Sequence, residues 1–265
     1  MSNLTTTSLS GLNVLITRPI EQQQILKAAI TSRGGGVTQM PLIEIKPLQE
    51  LASKSTLQSK IQHLDSYHIL IFVSSNAVQY AATWINDYWP RFPAGVAVIA
   101  IGPTTAQALS ARFGCEVVHS PAGMTSEDLL ELPELKRVEG KRIGIFRGQG
   151  GRDLLADTLS SRGGEIDYLE VYRRLSVHYD AKEFCASLQT EAVNVLTITS
   201  AESLFKLDLL VRDNKEEWGL IPLLVPSARL AQQAEQSGFG HVINTEGADT
   251  MSFVAALELL ADKIR

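Results

Sequence analysis

Hydroxyl and guanidinium side chains stand at the ends of short apolar runs in this chain, and the pattern occurs twice. Phe72-Val73-Ser74-Ser75 is answered by Thr197-Ile198-Thr199-Ser200, and Gly102-Pro103-Thr104-Thr105-Ala106 by Ser227-Ala228-Arg229-Leu230-Ala231, at one common spacing. Ile16-Thr17-Arg18-Pro19 is answered by Ile145-Phe146-Arg147-Gly148, and Ser32-Arg33-Gly34 by Ser161-Arg162-Gly163, at a nearly equal one. A turn that opens a helix presents free backbone N–H groups and a positive dipole end, which attract anions. Ser74, Ser75, Thr104, Thr105, Thr199, Ser200 and Ser227 add hydroxyls to such turns. Arg18, Arg147, Arg152 and Arg229 add forked donors suited to carboxylate or phosphate. The common order points to two similar units whose turns face each other across a cleft for a small multivalent anion. For any single Ser or Thr, the plain alternative is a helix cap. For the whole set, the recurrence weighs against it.

Other chemistry finds little support. Arg147-Gly148-Gln149-Gly150-Gly151-Arg152 is Gly-rich after an apolar run, as phosphate loops are, but it lacks the Gly-Lys-Ser/Thr ending and the dinucleotide glycine spacing. A tight anion-binding turn fits it better. His63, His68, His119, His178 and His241 are scattered without ligand spacing, so no metal is expected. No nucleophile elbow marks a Ser-His-Asp set. Glu131, Glu134 and Glu139 read as a solvated charged stretch. Tyr172 stands apart. It follows the apolar run Ile166–Val171 and precedes Arg173-Arg174. A phenol facing the cleft could donate a proton to a departing oxygen; the alternative is an aromatic plug at a domain junction. Tyr168, on the same run, reads as a core residue.

The elements that must position these groups alternate. Strands are expected at Leu12–Thr17, Val37–Met40, Ile69–Val73, Val96–Ile101, Cys115–His119, Ile143–Phe146, Ile166–Val171, Val193–Ile198, Leu220–Val225 and Val242–Ile243. Helices are expected over 20–33 with Ile25, Ala28, Ala29 and Ser32 on one face, over 50–64, and after Ser74-Ser75-Asn76, Gly102-Pro103, Thr125, Asp153, Ala181, Ala201, Arg229 and Thr250. Residues 1–10 read as a frayed tail. Short apolar strands with helical crossovers argue for parallel sheets covered on both faces, with ligands beyond the carboxyl ends of the strands. A single cut near residue 140 would make two consecutive domains. Pro41–Ile45 and Asp167–Arg174 also read as extended segments at equivalent places, which allows a discontinuous division instead.

At 265 residues the chain can form two medium domains. Its net charge of -5 argues against general nucleic-acid binding. Cys115 and Cys185 lie far apart and read as free thiols in a reducing compartment. No signal peptide and no membrane-length apolar run is evident, so the cytoplasm is the default location.

Several segments together resemble the uroporphyrinogen-III synthase family over roughly residues 12–260. They are Leu15–Pro19, Pro41-Leu42-Ile43, Phe72–Val78, Ala100–Leu109, Arg147-Gly148 with Gly151-Arg152, Val171–Arg174, Thr199-Ser200 and Ser227–Ala231. Val225-Pro226-Ser227-Ala228-Arg229 departs from the Ser-Pro or Gly-Pro turn of many members. The resemblance implies an α/β fold of two similar flavodoxin-like three-layer α/β/α lobes with parallel sheets, joined by a two-stranded linker. Lobe one would hold residues 1–40 and 173–265, lobe two 46–166, and the linker strands 41–45 and 167–172. The implied reaction closes the linear tetrapyrrole hydroxymethylbilane with inversion of ring D, losing water. It would proceed through a spiro-pyrrolenine, with a tyrosine matching Tyr172 as the acid. The resemblance also implies no cofactor or metal, a monomer, and a substrate that hydroxymethylbilane synthase could hand over. A non-enzymatic two-lobed binder of a small multivalent anion would share these turns.

Overall fold

The computed structural model describes residues 8–48 and 51–264. Its strands are β1 (Asn13–Ile16), β2 (Gly36–Gln39), β3 (Ile43–Pro47), β4 (Ile69–Phe72), β5 (Ala97–Ala100), β6 (Val118–His119), β7 (Arg142–Gly148), β8 (Glu165–Ser176), β9 (Val195–Thr197), β10 (Leu223–Val225) and β11 (Val242–Asn244). The chain divides into two compact units. One holds Met1–Glu44 and Leu175–Arg265, the other Ile45–Arg174.

The first unit carries a five-stranded sheet in the order β11-β10-β9-β1-β2, with neighbouring strands parallel throughout. That is the flavodoxin-like order, with its switch point between β1 and β9. Successive residues of a strand face opposite ways, so both faces must be apolar to be covered. Val14 and Ile16 accordingly join the core with Leu26, Ile30, Phe253 and Leu257, while Leu15 and Leu196 join Phe184, Leu207 and Trp218 on the other side.

The second unit carries a six-stranded sheet in the order β3-β8-β7-β4-β5-β6. Leu70 and Phe72 of β4 pack on one face with Val78, Leu109 and Phe146, and Ile69 and Ile71 on the other with Leu129, Leu135 and Leu159. Phe72 and Phe146 stack across β4 and β7 at 4.3 Å and 9°. Truncating either ring to alanine is expected to cost roughly 3–5 kcal/mol.

The repeat runs across these units. β1 matches β7 in sequence, β9 matches β4 and β10 matches β5. Matched strands take matching places: β2-β1-β9-β10-β11 corresponds to β8-β7-β4-β5-β6, with β3 added at an edge. Each unit therefore combines strands from both linear repeats, and the second is a circular permutation of the first. The segment 167–172 lies inside β8, paired to β7 through Tyr172.

Some local expectations are corrected. A 3-10 turn, Ile20–Gln22, precedes the helix Gln24–Thr31, which buries Leu26 and Ile30 and leaves Ile25 75% exposed. Buried Gln23 sets this phase, because its side-chain amide donates to the carbonyl of Arg18 at 2.6 Å. Of the expected tail, residues 1–7 lie outside the described residues, whereas Leu9 is fully buried and its N–H donates to the Arg33 carbonyl. Two short helices, Pro133–Lys136 and Lys215–Trp218, are too brief to show a period. Gly34 and Gly163 both take positive φ after their helices, so the Arg-Gly repeat there is a helix stop.

Candidate active site

Register aligns one end of the second unit's sheet. Phe146, Phe72 and Ala100 sit side by side on β7, β4 and β5. Two residues further along, Gly148, Ser74 and Gly102 form the next row, at the carboxyl ends of parallel strands where such sheets bind ligands. β8 brings Tyr172 into this row opposite Gly148, past an irregularity between Arg147 and Gly148. A bulge of this kind re-aims a side chain. Consecutive residues Val171 and Tyr172 consequently enter the same core cluster instead of opposite faces.

Tyr172 is 1% exposed. Its ring packs beside Tyr80 at 5.6 Å and over the α-carbon of Gly148, where a Cβ would stand 2.5 Å from Tyr172 Cε2. Its hydroxyl lies 3.2 Å from Ser74 Oγ. Ser74 is the N-cap of the 14-residue helix Ser75–Tyr88 and accepts from the N–H of Ala77 at 3.0 Å. Ring and hydroxyl thus do different things: the ring plugs the core, and the hydroxyl reaches the helix N-terminus.

The arginines of the Gly-rich loop part company. Arg147 is 7% exposed and turns back on its own loop. Its Nη1 donates to Asp153 Oδ1 at 3.1 Å and its Nη2 to the Gly150 carbonyl, while the guanidinium covers the Tyr168 ring at 4.5 Å. Tyr168 donates to the same Asp153 oxygen at 2.8 Å. Burial first, and then this carboxylate, push the Tyr168 phenol up to about 12. Hydrogen bonds from Tyr168 and Arg147 hold the Asp153 carboxyl below its usual range. Arg147 is therefore a brace of the loop, because a nearly buried guanidinium needs its donors satisfied locally. Arg152 stays exposed, with Glu127 at 3.9 Å.

Around the row, Ser75 and Thr104 are exposed at the first turns of their helices. Thr105 is buried with Ala106 and Leu109 on the inner face of Pro103–Phe113. Gly102 caps that helix without a side chain, and a Cβ there would stand 2.6 Å from Met124 Cγ.

In the first unit, Ile16 pairs with Thr197, which places Arg18 and Thr199 in one row beyond β1 and β9. Ser200 caps Ala201–Val211 by accepting from the N–H of Ser203 at 3.1 Å. Ser227 caps Ala228–Gln236 by accepting from that of Leu230 at 3.4 Å. Arg18 Nη2 donates to the Ala248 carbonyl at 2.8 Å, and its guanidinium stands 4.9 Å from the Phe253 ring centre. Its Nε is buried without a partner among the described residues, and burial lowers its pKa against the pull of Asp249. Arg229 is exposed.

Sequence reasoning passed over Thr17, Thr197, Gln23 and Tyr80. Thr17 Oγ1 donates to the Thr197 carbonyl and Thr197 Oγ1 to the Leu15 carbonyl, each at 2.7 Å, binding β1 to β9 at the switch point. Tyr80 donates to the Ile45 carbonyl at 2.7 Å beside Tyr172. A lone threonine within an apolar strand was the available signal for the first pair.

The chain matches the family model described as uroporphyrinogen-III synthase HemD over residues 24–255. It is 35% identical over 252 residues to the uroporphyrinogen-III synthase of Escherichia coli (strain K12), covering 93% of this chain and 100% of that protein. It is 34% identical over 249 residues to that of Salmonella typhimurium, with 93% and 100% coverage. Among solved structures, a mutant uroporphyrinogen III synthase from the extremely thermophilic bacterium Thermus thermophilus aligns with TM-score 0.59 at 14% identity, over 96% of this chain and 100% of that one. The Helicobacter pylori uroporphyrinogen-III synthetase aligns with TM-score 0.51 at 15% identity, over 96% and 99%. At such identities the structural likenesses bear on the fold alone. The match to the family model over residues 24–255, together with relatives spanned along their whole length, places this chain in the uroporphyrinogen-III synthase family.

Proposed function

We propose that this protein is a uroporphyrinogen-III synthase that closes hydroxymethylbilane, inverts ring D and releases water. The observation that carries this is the match to named synthases over 93% of this chain and 100% of theirs. The local chemistry agrees. The substrate carries eight carboxylates, and the positive dipole ends of the helices capped by Ser74, Ser200 and Ser227 suit such an anion. Ser75, Thr104, Thr199, Arg18, Arg152 and Arg229 are the side chains we assign to the same task. Gly148 serves by leaving room for Tyr172.

Tyr172 is our candidate acid. It would give its proton to the departing hydroxymethyl oxygen as the C–O bond breaks. The electron-rich pyrrole supplies the electron pair, so modest acid help suffices. The larger task is positional: holding ring A's reactive carbon against the substituted position of ring D, through the spiro-pyrrolenine. Free closure gives the non-inverted isomer. A cytoplasmic monomer that receives its substrate from hydroxymethylbilane synthase belongs to the same proposal. For the described residues, no helix is long and apolar enough to cross a membrane.

A coupled assay tests this. Hydroxymethylbilane is generated in situ and the type I and type III products are separated. Type III isomer formed in proportion to protein is expected. Type I alone, at the rate without protein, would overturn the proposal and favour the anion-binding alternative.

A further inference from the structure

Ser74 sits between two partners that make opposite demands on a hydroxyl. The N–H of Ala77 occupies one Ser74 lone pair at 3.0 Å, and Tyr172 Oη lies 3.2 Å away. Ser74 retains one proton to donate and one lone pair. If Tyr172 donates to Ser74, the phenolic proton is held inside the protein. If Ser74 donates to Tyr172, the phenolic O–H is free to point elsewhere, and Tyr172 Oη is already hydrogen-bonded before any charge develops on it.

The second arrangement grows stronger as Tyr172 loses its proton. A hydroxyl donating to a phenolate makes a charge-assisted bond, which is stronger than one between neutral groups. Acceptance from the Ala77 N–H polarises Ser74 and makes it a better donor. Both atoms lie at the start of the 14-residue helix Ser75–Tyr88, whose dipole favours negative charge there. Gly148 holds the geometry open, since any side chain at that position would strike the ring that carries the hydroxyl.

We propose that Ser74 is a positioning residue for the ring-closing reaction: it donates to Tyr172 Oη, leaves the phenolic proton directed away from Ser74 and stabilises the phenolate left when that proton departs. Its effect runs through Tyr172, so it rests on Tyr172's acid role. The balance is simple. The Tyr172 proton joins the hydroxymethyl oxygen, the C–O bond breaks and water leaves. The carbon of ring D that forms the final bond loses a proton, which restores the phenol.

The test is a double-mutant cycle in the coupled assay, with kcat and KM read separately and the melting temperature of each variant recorded. Ser74→Ala is expected to lower kcat about tenfold or more, with KM within about twofold. In the Tyr172→Phe background it should cost nothing further. Ser74→Thr, which keeps cap and donor, should recover most of the rate. Ser74→Asp keeps the cap and the melting temperature but has no proton to donate, and should stay slow. Three results would each overturn the proposal while leaving Tyr172 as the acid: a wild-type rate for Ser74→Ala beside a slow Tyr172→Phe, an additive loss in the double variant, or full recovery in Ser74→Asp. Tyr172→Phe at the wild-type rate would remove the acid role itself, and the proposal with it.

Discussion

The ring of Tyr172 fills the space that a side chain at Gly148 would need: a Cβ there would stand 2.5 Å from Cε2, 2.7 Å from Cζ and 3.0 Å from Cδ2. The first two are closer than real Cβ contacts, and the obstacle is a rigid buried ring. Gly148→Ala should therefore displace Tyr172 from Ser74. A stability loss of about 1–3 kcal/mol is expected from overpacking, with turnover reduced about tenfold or more. Denaturant unfolding and the coupled assay measure the two. Full turnover with Tyr172 displaced would show that the position of this phenol does not matter to the reaction.

The two arginines of the glycine loop should respond differently. Arg147→Ala takes one of its two donors from Asp153, leaving that of Tyr168, and removes the Arg147 donor from the Gly150 carbonyl, so a loss of about 2 kcal/mol is expected. Lysine should not restore it, because one ammonium cannot replace the fork. Arg152→Ala, at an exposed site, should change stability by no more than about 0.5 kcal/mol and raise KM. Urea unfolding and steady-state kinetics on both variants separate the roles. A stable Arg147→Ala with raised KM would return Arg147 to substrate binding.

Thr197→Val keeps shape and removes a buried donor. The Leu15 carbonyl loses its 2.7 Å partner, and a loss of about 1 kcal/mol is expected. The urea midpoint should fall with its slope unchanged. An unchanged midpoint would show that this hydroxyl adds nothing to the β1–β9 seam.

Acid should weaken the second unit through Asp167. Burial alone would raise this carboxyl, but hydrogen bonds from Arg142 at 2.8 Å, Lys60 and Tyr67 at 2.9 Å outweigh it and hold the pKa below its ordinary value. The ionised form is thus favoured by folding. Its contribution is complete above the ordinary carboxylate range of about 4 and is lost as pH falls through the lowered folded value. Melting temperatures of wild type and Asp167→Asn should differ at neutral pH and converge in acid. A gap that stays constant down the whole acid limb would rule this out.

Much of this was legible in the chain. The Thr197 and Ser74 segments repeat because parallel strands must end in turns that open helices, and Ser74, Ser200 and Ser227 all proved to be N-caps. Local rules governed these positions, since a cap depends on residues three apart. Ile25 misled because the phase of its helix is set by buried Gln23, whose amide bonds backbone in the preceding turn.

The sequence by itself determined the alternation of strands and helices, the doubled set of strand-end turns and the membership of the family. The family resemblance implied a discontinuous division, but only the tertiary structure decided which strands pair, since pairing joins segments as far apart as Val14 and Val195 or Ile69 and Ile143 and leaves no local trace. β1 beside β9 and β7 beside β4 make each unit a mixture of both repeats. It also decided what the side chains do. An irregular pairing turns Tyr172 across Gly148 to Ser74, and burial commits Arg147 to its own loop. Both follow from the cost of leaving a buried polar group unpaired, which a chain can meet only once it is folded.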